Sequence, residues 1–409
     1  MIILTGASKS TQEIVHRSFY VDDCLHSMSS TAEARETVME LTNLLKSGGF
    51  ELTKFASNFP EILDIIPEKD RSSSSQKVNC DSNPTQRTLG INWNTLTDKF
   101  EIYVNLNERP ATRRGMLSQI GQVFDPLGFL QPFLLPGKLI LQDLCHEGYE
   151  WDKEVTGSRR SSWEGWISSL SRLNGLSIPR CHKSKDFKPV RIELHCFSDA
   201  SENGYGTVAY FRFVNDKGVA ETSFVRGSSR VAPKRFISIP RLELMSAVLA
   251  TELAKSILAE TNLKIDRTFY WSDSMSVLKS INSQSCRFKT FVANRVAMIR
   301  SASEACQWHY VPTELNSADI ASRGLTTDET GKTDVWLYGP AFLKSSKEAW
   351  PSLCTEKISR FCDPTFQREI KVNVVRFENL VSSSSSGLDD LLSRHSIFER
   401  LQRSVAWLL

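Results

Sequence analysis

Three short runs of alternating apolar and polar residues, followed closely by a run with helical period, constrain this chain most. Arg191 to Ser198, Gly204 to Phe213 and Glu221 to Arg226 each alternate, and their spacing predicts a three-stranded antiparallel meander. Pro240 then opens a helix whose Leu242, Met245, Leu249 and Leu253 fall on one face. A strand at Thr268 to Ser272, helices at Ser274 to Asn282 and Phe288 to Ser301, a strand at Trp308 to Val311 and a helix at Ala318 to Arg323 complete the pattern. Three strands followed by alternating helices and strands predict a mixed five-stranded sheet with helices on its faces.

Four carboxylates fall where these elements start or stop. Asp199 ends C-F-S-D-A-S, Glu243 opens a helix in I-P-R-L-E-L, Asp273 ends Y-W-S-D-S, and Asp319 opens a helix in L-N-S-A-D-I-A-S-R. Taken singly, an acid before a helix reads equally well as a cap. Together at one sheet edge they repel, and assembling them is costly unless a cation neutralises them, which predicts Mg²⁺ or Mn²⁺ on oxygen ligands. Two such ions about 3.5–4 Å apart can activate a water and stabilise the leaving oxygen of a phosphodiester. Ala247, Ala250 and Ala254 follow Glu243 along one helix face, a small-residue stripe that lets the helix lie close to the sheet and presses the acid toward the strand ends. The acid-free segment from Arg226 to Arg241 carries Arg226, Arg230, Lys234, Arg235 and Arg241, which reads as a solvated face or, beside the acids, as a phosphate-binding strip. Ser201 and Asn203, just after the first acid, are candidate contacts for a bound strand.

Composition narrows the alternatives. With 409 residues, 40% of them hydrophobic, the chain can bury two or three domain cores. Lys+Arg 50 against Asp+Glu 47 is too balanced for total charge to imply a polyanion partner, so any such site must be local. The cysteines form no C-x-x-C pair and the histidines no H-x-x-x-H spacing, which speaks against zinc and for reduced thiols in the cytoplasm. No apolar run approaches the roughly 20 residues of a membrane span. Serine tracts at Ser72 to Ser75 and Ser382 to Ser386 read as linkers. Between residues 11 and 104 the pattern predicts a small α+β piece, with strands at Phe19 to Val21, Phe50 to Phe55, Thr88 to Trp93 and Phe100 to Val104, and a helix from Thr31 to Lys46. Residues 108 to 190 read as mainly helical, with Pro126, Pro132 and Pro136 breaking an apolar stretch.

The D-E-D-D order, set in S-D-A-S, R-L-E-L, W-S-D-S and N-S-A-D-I-A-S-R-G, resembles the ribonuclease H domain of retroelement polymerases. The stretches R-V-A-P-K-R-F-I-S-I-P-R-L-E-L, F-V-A-N-R-V, H-Y-V-P-T-E-L-N-S-A-D and V-W-L-Y-G-P-A-F-L are similar to the Bel/Pao class of long-terminal-repeat retrotransposons in particular. The resemblance implies that Asp199, Glu243, Asp273 and Asp319 hold two Mg²⁺ or Mn²⁺ ions and that the RNA strand of an RNA–DNA hybrid is hydrolysed. Many ribonucleases H place a mobile histidine near the last acid; His309, ten residues before Asp319, reads instead as structural.

Near the start, F-Y-V-D-D resembles the Y-x-D-D hairpin of reverse transcriptases, which implies a polymerase-metal role for Asp22 and Asp23 beside Tyr20. Lys54, in G-G-F-E-L-T-K-F-A-S-N, matches the lysine proposed there as a proton donor, and residues 113 to 130 match the Bel/Pao connecting region. Only 21 residues precede Asp22, so the third aspartate and the fingers of a polymerase are missing and no polymerase activity is expected from this chain. L-T-G-A-S resembles an aspartic-protease triplet, but Leu4 replaces its acid, so no proteolysis is expected. The implied organisation is a truncated palm at 1–107, a helical connection at 108–189, a ribonuclease H-like domain at 190–327, and a tail at 328–409 with a serine-rich linker and an amphipathic helix bearing Leu388, Leu391, Leu392, Phe398 and Leu401. The expected partners are an RNA–DNA hybrid and other Pol segments, with no membrane. The alternatives are a non-catalytic nucleic-acid-binding relic and a DNA-strand transferase, the latter requiring a D-D-E order.

Overall fold

The computed structural model describes residues 7–72, 85–88, 90–235, 237–283, 286–353, 358 and 363–371. The second serine tract, the amphipathic tail segment, most of L-T-G-A-S and Ser73 to Ser75 lie outside the described residues. In chain order the elements are α1 (Lys9–Arg17), β1 (Phe19–Tyr20), β2 (Asp23–Cys24), α2 (Thr31–Ser47), α3 (Pro60–Leu63), β3 (Thr85–Thr88), β4 (Ile91–Asn94) and β5 (Lys99–Glu101). Then come α4 (Arg113–Gln122), α5 (Gln131–His146), α6 (Gly157–Leu170), β6 (Ser177–Pro179), β7 (Arg191–Ala200), β8 (Gly204–Val214), β9 (Ala220–Val231) and α7 (Ile239–Glu260). The last are β10 (Arg267–Ser272), α8 (Met275–Asn282), α9 (Thr290–Ala302), β11 (Trp308–Tyr310), α10 (Ala318–Arg323), α11 (Thr330–Tyr338) and α12 (Pro364–Glu369). Among the described residues, no helix is long and apolar enough to cross a membrane.

The main sheet runs β11-β10-β7-β8-β9, with β7, β8 and β9 antiparallel and β10 and β11 parallel to β7 and to each other. This is the mixed five-stranded sheet that the pattern of strands and helices predicted. One face, bearing Ala200 and Tyr205, clusters with Leu242 and Leu249 of α7. The other, bearing Phe197, Tyr210 and Trp271, joins a large core with Phe133, Trp163, Trp336, Phe342 and Trp350. Because both faces are covered, every residue of β8 is buried, the burial expected of a central strand.

Several expectations are corrected. The third strand does not stop at Arg226 but continues to Val231, so Arg226 and Arg230 lie on a strand. Phe50 to Phe55 forms no strand, only a bridge from Phe55 to Arg71. The run Thr88 to Trp93 is two strands, β3 and β4, turned at Gly90 with φ +81°. The prolines do not break α5: Pro132 sits in its first turn and Pro136 within it. Pro136 has no N–H to give the carbonyl four residues back. That carbonyl, on Pro132, instead accepts the Leu325 N–H at 3.0 Å, so the missing bond becomes the docking point for the chain after α10.

The boundary between connection and sheet is also closer than the sequence suggested. The Leu127 carbonyl accepts the Gly227 N–H at 2.9 Å, covering the edge strand β9. A Cβ on Gly128, whose φ is +83°, would sit 2.0 Å from the Gly227 oxygen, and one on Gly227 would sit 2.5 Å from Trp336. Both glycines are required by that approach. Residues expected at the start of a tail belong to the core, since Trp336 and Leu343 are fully buried. Residues 1–369 form one unit and 370–409 a second.

Candidate metal centre

Asp199 and Asp273 reach the site because their strands are parallel neighbours in register. Ser198 pairs with Ser272, so the next residue of each chain segment emerges at the same sheet end, about 4.8 Å from its neighbour. Glu243 enters from just past the first turn of α7, which lies low on the sheet because Ala247, Ala250 and Ala254 are fully buried. One carboxylate oxygen from each of Asp199, Glu243 and Asp273 lies within 4.8 Å of the others.

Neighbours fix these acids unequally. Asp199 accepts the Ser322 hydroxyl. Asp273 accepts Thr313 Oγ1 at 2.6 Å and Asn316 Nδ2 at 3.3 Å, and Asn316 also binds the Ser198 carbonyl at 3.1 Å. Glu243 Oε2 is buried and has no hydrogen-bond partner. Burial, and then the charges of Asp199 and Asp273, hold the Glu243 carboxyl well above the usual range, with only partial relief from the Ala200 backbone. Burial and then Asp273 likewise push Asp199 up to about 8, against the Ser322 hydrogen bond. A lone carboxylate oxygen buried without a partner is unfavourable. The three hard oxygen donors of Asp199, Glu243 and Asp273 fit a hard divalent cation, which would repay that burial and lower both acids.

Asp319, the expected fourth member, stands outside this triad. It is half-buried and ion-paired to Arg323 one helical turn along α10. Its charge still acts on Asp199 and Glu243.

The basic segment is not one free strip. Lys234 pairs with Asp143 at 2.6 Å, and Arg241 pairs with both oxygens of Glu369 at 2.7 and 2.9 Å while lying over the Phe291 ring. Arg226, Arg230 and Arg235 are exposed. Arg230 lies across β8 from the site, opposite Tyr205, which itself pairs with Ala200. Ser201 is buried, its hydroxyl donating to the Ser322 carbonyl at 2.7 Å and accepting the Asn203 and Gly204 N–H groups, so it is committed to the turn; Asn203 is exposed.

At the start of the chain, β1 and β2 pair as a hairpin, Tyr20 opposite Asp23, with Val21 at φ +53° in its turn. Tyr20, Asp22 and Asp23 are exposed there, and among the described residues no third acid gathers with the two aspartates. Lys54 is exposed as well. His309 packs between Phe269 and Trp271, ring centroids 5.5 and 5.2 Å away, and burial lowers its pKa, in keeping with a structural role.

Sequence reasoning missed the residues that orient the acids, Ser322, Thr313 and Asn316, although all three flank Asp319 in the chain. It also missed a buried network. Arg212 Nη1 donates to Glu193 Oε2 at 2.8 Å and the same guanidinium donates to the Leu343 and Ser345 carbonyls, tying residues 343–345 to the sheet. His195 lies beside Glu193, accepts the Trp271 indole N–H on Nδ1 at 3.1 Å, and is pushed down to about 4 by burial.

Comparison with known proteins agrees with this architecture. Residues 112–274 match the family model described as a Pao retrotransposon-like RNaseH-like domain. A search of curated proteins found no match. Among solved structures, RNase H1 from the halophilic archaeon Halobacterium salinarum NRC-1 is 13% identical, with 34% of this chain and 98% of that chain covered and a TM-score of 0.20. The N-terminal RNase H domain of rv2228c from Mycobacterium tuberculosis is 12% identical over 34% and 98%, with a TM-score of 0.23. LC11-RNase H1, in complex with an RNA/DNA hybrid, is 12% identical over 35% and 98%, with a TM-score of 0.21. The family match begins in the helices that cover the sheet and ends just past Asp273, so the segment that carries all three converging acids is similar to a Pao retrotransposon-like RNaseH-like domain.

Proposed function

We propose that this chain is a piece of a Bel/Pao Pol polyprotein whose ribonuclease H-like domain cuts the RNA strand of an RNA–DNA hybrid. In this reading residues 1–107 belong to a reverse-transcriptase palm, and residues 108–189 connect it to the sheet. Asp199, Glu243 and Asp273 would hold Mg²⁺ or Mn²⁺, with Asp319 beside them. The observation that carries the reading is their convergence, together with the buried, unpartnered Oε2 of Glu243. Bound there, divalent cations would supply an activated water and neutralise the departing 3′ oxygen.

The chain's own residues do the positioning. Ser322 holds Asp199 by one oxygen, and Thr313 and Asn316 hold both oxygens of Asp273, so these two carboxylates are oriented before substrate arrives. The exposed Arg226 and Arg230 on β9 are available to backbone phosphates.

The neutralised Lys234 and Arg241 favour a second reading, a relic that binds weakly and does not cut. A labelled hybrid distinguishes them. In Ca²⁺ the chain is expected to bind hybrid without cutting it, and in Mg²⁺ to cut the RNA strand. Binding in both ions with no cleavage in either is the relic's signature.

A further inference from the structure

Four carboxylates share this corner of the sheet, and one guanidinium, Arg323, is ion-paired to a single one of them, Asp319. Helix α10 grips two acids with consecutive residues: Ser322 donates to Asp199, and Arg323 holds Asp319. The two grips differ in permanence. Ser322 is fully buried, whereas the Arg323 side chain is 61% exposed and that of Asp319 25%. An exposed pair one helical turn apart is a weak attachment, and a guanidinium binds a phosphate through two parallel hydrogen bonds at least as well as it binds a carboxylate. Arg323 also lies in the field of Asp199 and Asp273, so a phosphodiester delivered to those acids arrives within its neighbourhood.

We propose that Arg323 is a phosphate-binding residue for the nucleic-acid substrate, and that before substrate arrives it holds Asp319 apart from Asp199, Glu243 and Asp273. When a backbone phosphate takes the guanidinium, Asp319 is left with an uncompensated charge beside the triad. A second cation then becomes favourable at the moment the phosphate adds its own negative charge. The inference rests on the reading of the triad as a metal site.

The test titrates Mn²⁺ calorimetrically into the full chain and into Arg323→Gln, without nucleic acid and then with a hybrid whose RNA strand is 2′-O-methylated and cannot be cut. The wild type is expected to take up its second ion only with the hybrid present. Arg323→Gln is expected to take up both ions without it, and Arg323→Gln combined with Asp319→Asn to lose that gain. Hybrid affinity in Arg323→Gln should fall about tenfold, with a salt slope smaller by about one. Because Arg323 is exposed, the variant should melt as the wild type does in metal-free buffer. Mn²⁺ uptake that Asp199→Asn abolishes but Arg323→Gln leaves unchanged overturns the exchange while keeping the metal site. No Mn²⁺ uptake by the wild type under either condition overturns both.

Discussion

Asp199 and Glu243 set how the molecule responds to pH. Both are acids whose folded state favours the proton, Asp199 up to about 8 and Glu243 well above its usual range. A raised acid contributes stability that is fully present below its unfolded value, near 4, and is lost as pH rises through its folded value. Below about pH 6.5 the buried His195, whose pKa is pushed down to about 4, acts in the opposite sense, so metal-free protein is expected to melt at progressively lower temperature between about pH 6.5 and about pH 8, and Mn²⁺ to raise the melting point more at about pH 8.5 than at about pH 6, where protons compete for the same oxygens. Asp199→Asn should flatten the metal-free decline and stabilise the fold at the alkaline end by roughly 1–3 kcal/mol. Identical melting curves against pH for wild type and variant would contradict this. The acids themselves were legible because each ends or opens a strongly patterned element. Their supports were not, since a serine, threonine or asparagine in a loop announces nothing until the fold supplies its partner. The same holds for Lys234 and Arg241, whose carboxylates lie 91 and 128 residues away in sequence.

At the scale of elements, the sheet depends on the helices around it. Phe197, Tyr210 and Trp271 on one face share a core with helices α4–α6 and residues 330–350 as well as with Ala318, Ala321 and Leu325, so much of their cover lies outside 190–327. Such a surface left bare exceeds what soluble monomers tolerate. A protein comprising residues 190–327 alone is expected to aggregate, whereas residues 108–353 should remain soluble and melt cooperatively; light scattering and thermal melts compare them directly. A soluble, cooperatively melting 190–327 would show that the covering helices are dispensable. The sequence displayed the strands and α7 clearly because alternation and an apolar face are local signals. It hid the extent of the domain, because the bonds that join it are backbone contacts at Gly128 and Gly227, a carbonyl freed by Pro136, and the buried Arg212, none of which has a period to read.

For the molecule as a whole, net charge is close to balance, so any polyanion site has to come from local groups placed by the fold. The hairpin bearing Asp22 and Asp23 presents two exposed acids with which no third gathers among the described residues, while the sheet brings three carboxylates together, two of them buried. The most direct measurement is cleavage of a hybrid labelled in its RNA strand by the full chain with Mg²⁺ or Mn²⁺, beside Asp199→Asn under the same conditions. The account predicts metal-dependent cleavage that falls at least about 100-fold in the variant. Cleavage unaffected by Asp199→Asn, or a folded wild type that binds the hybrid and leaves its RNA intact, would contradict it.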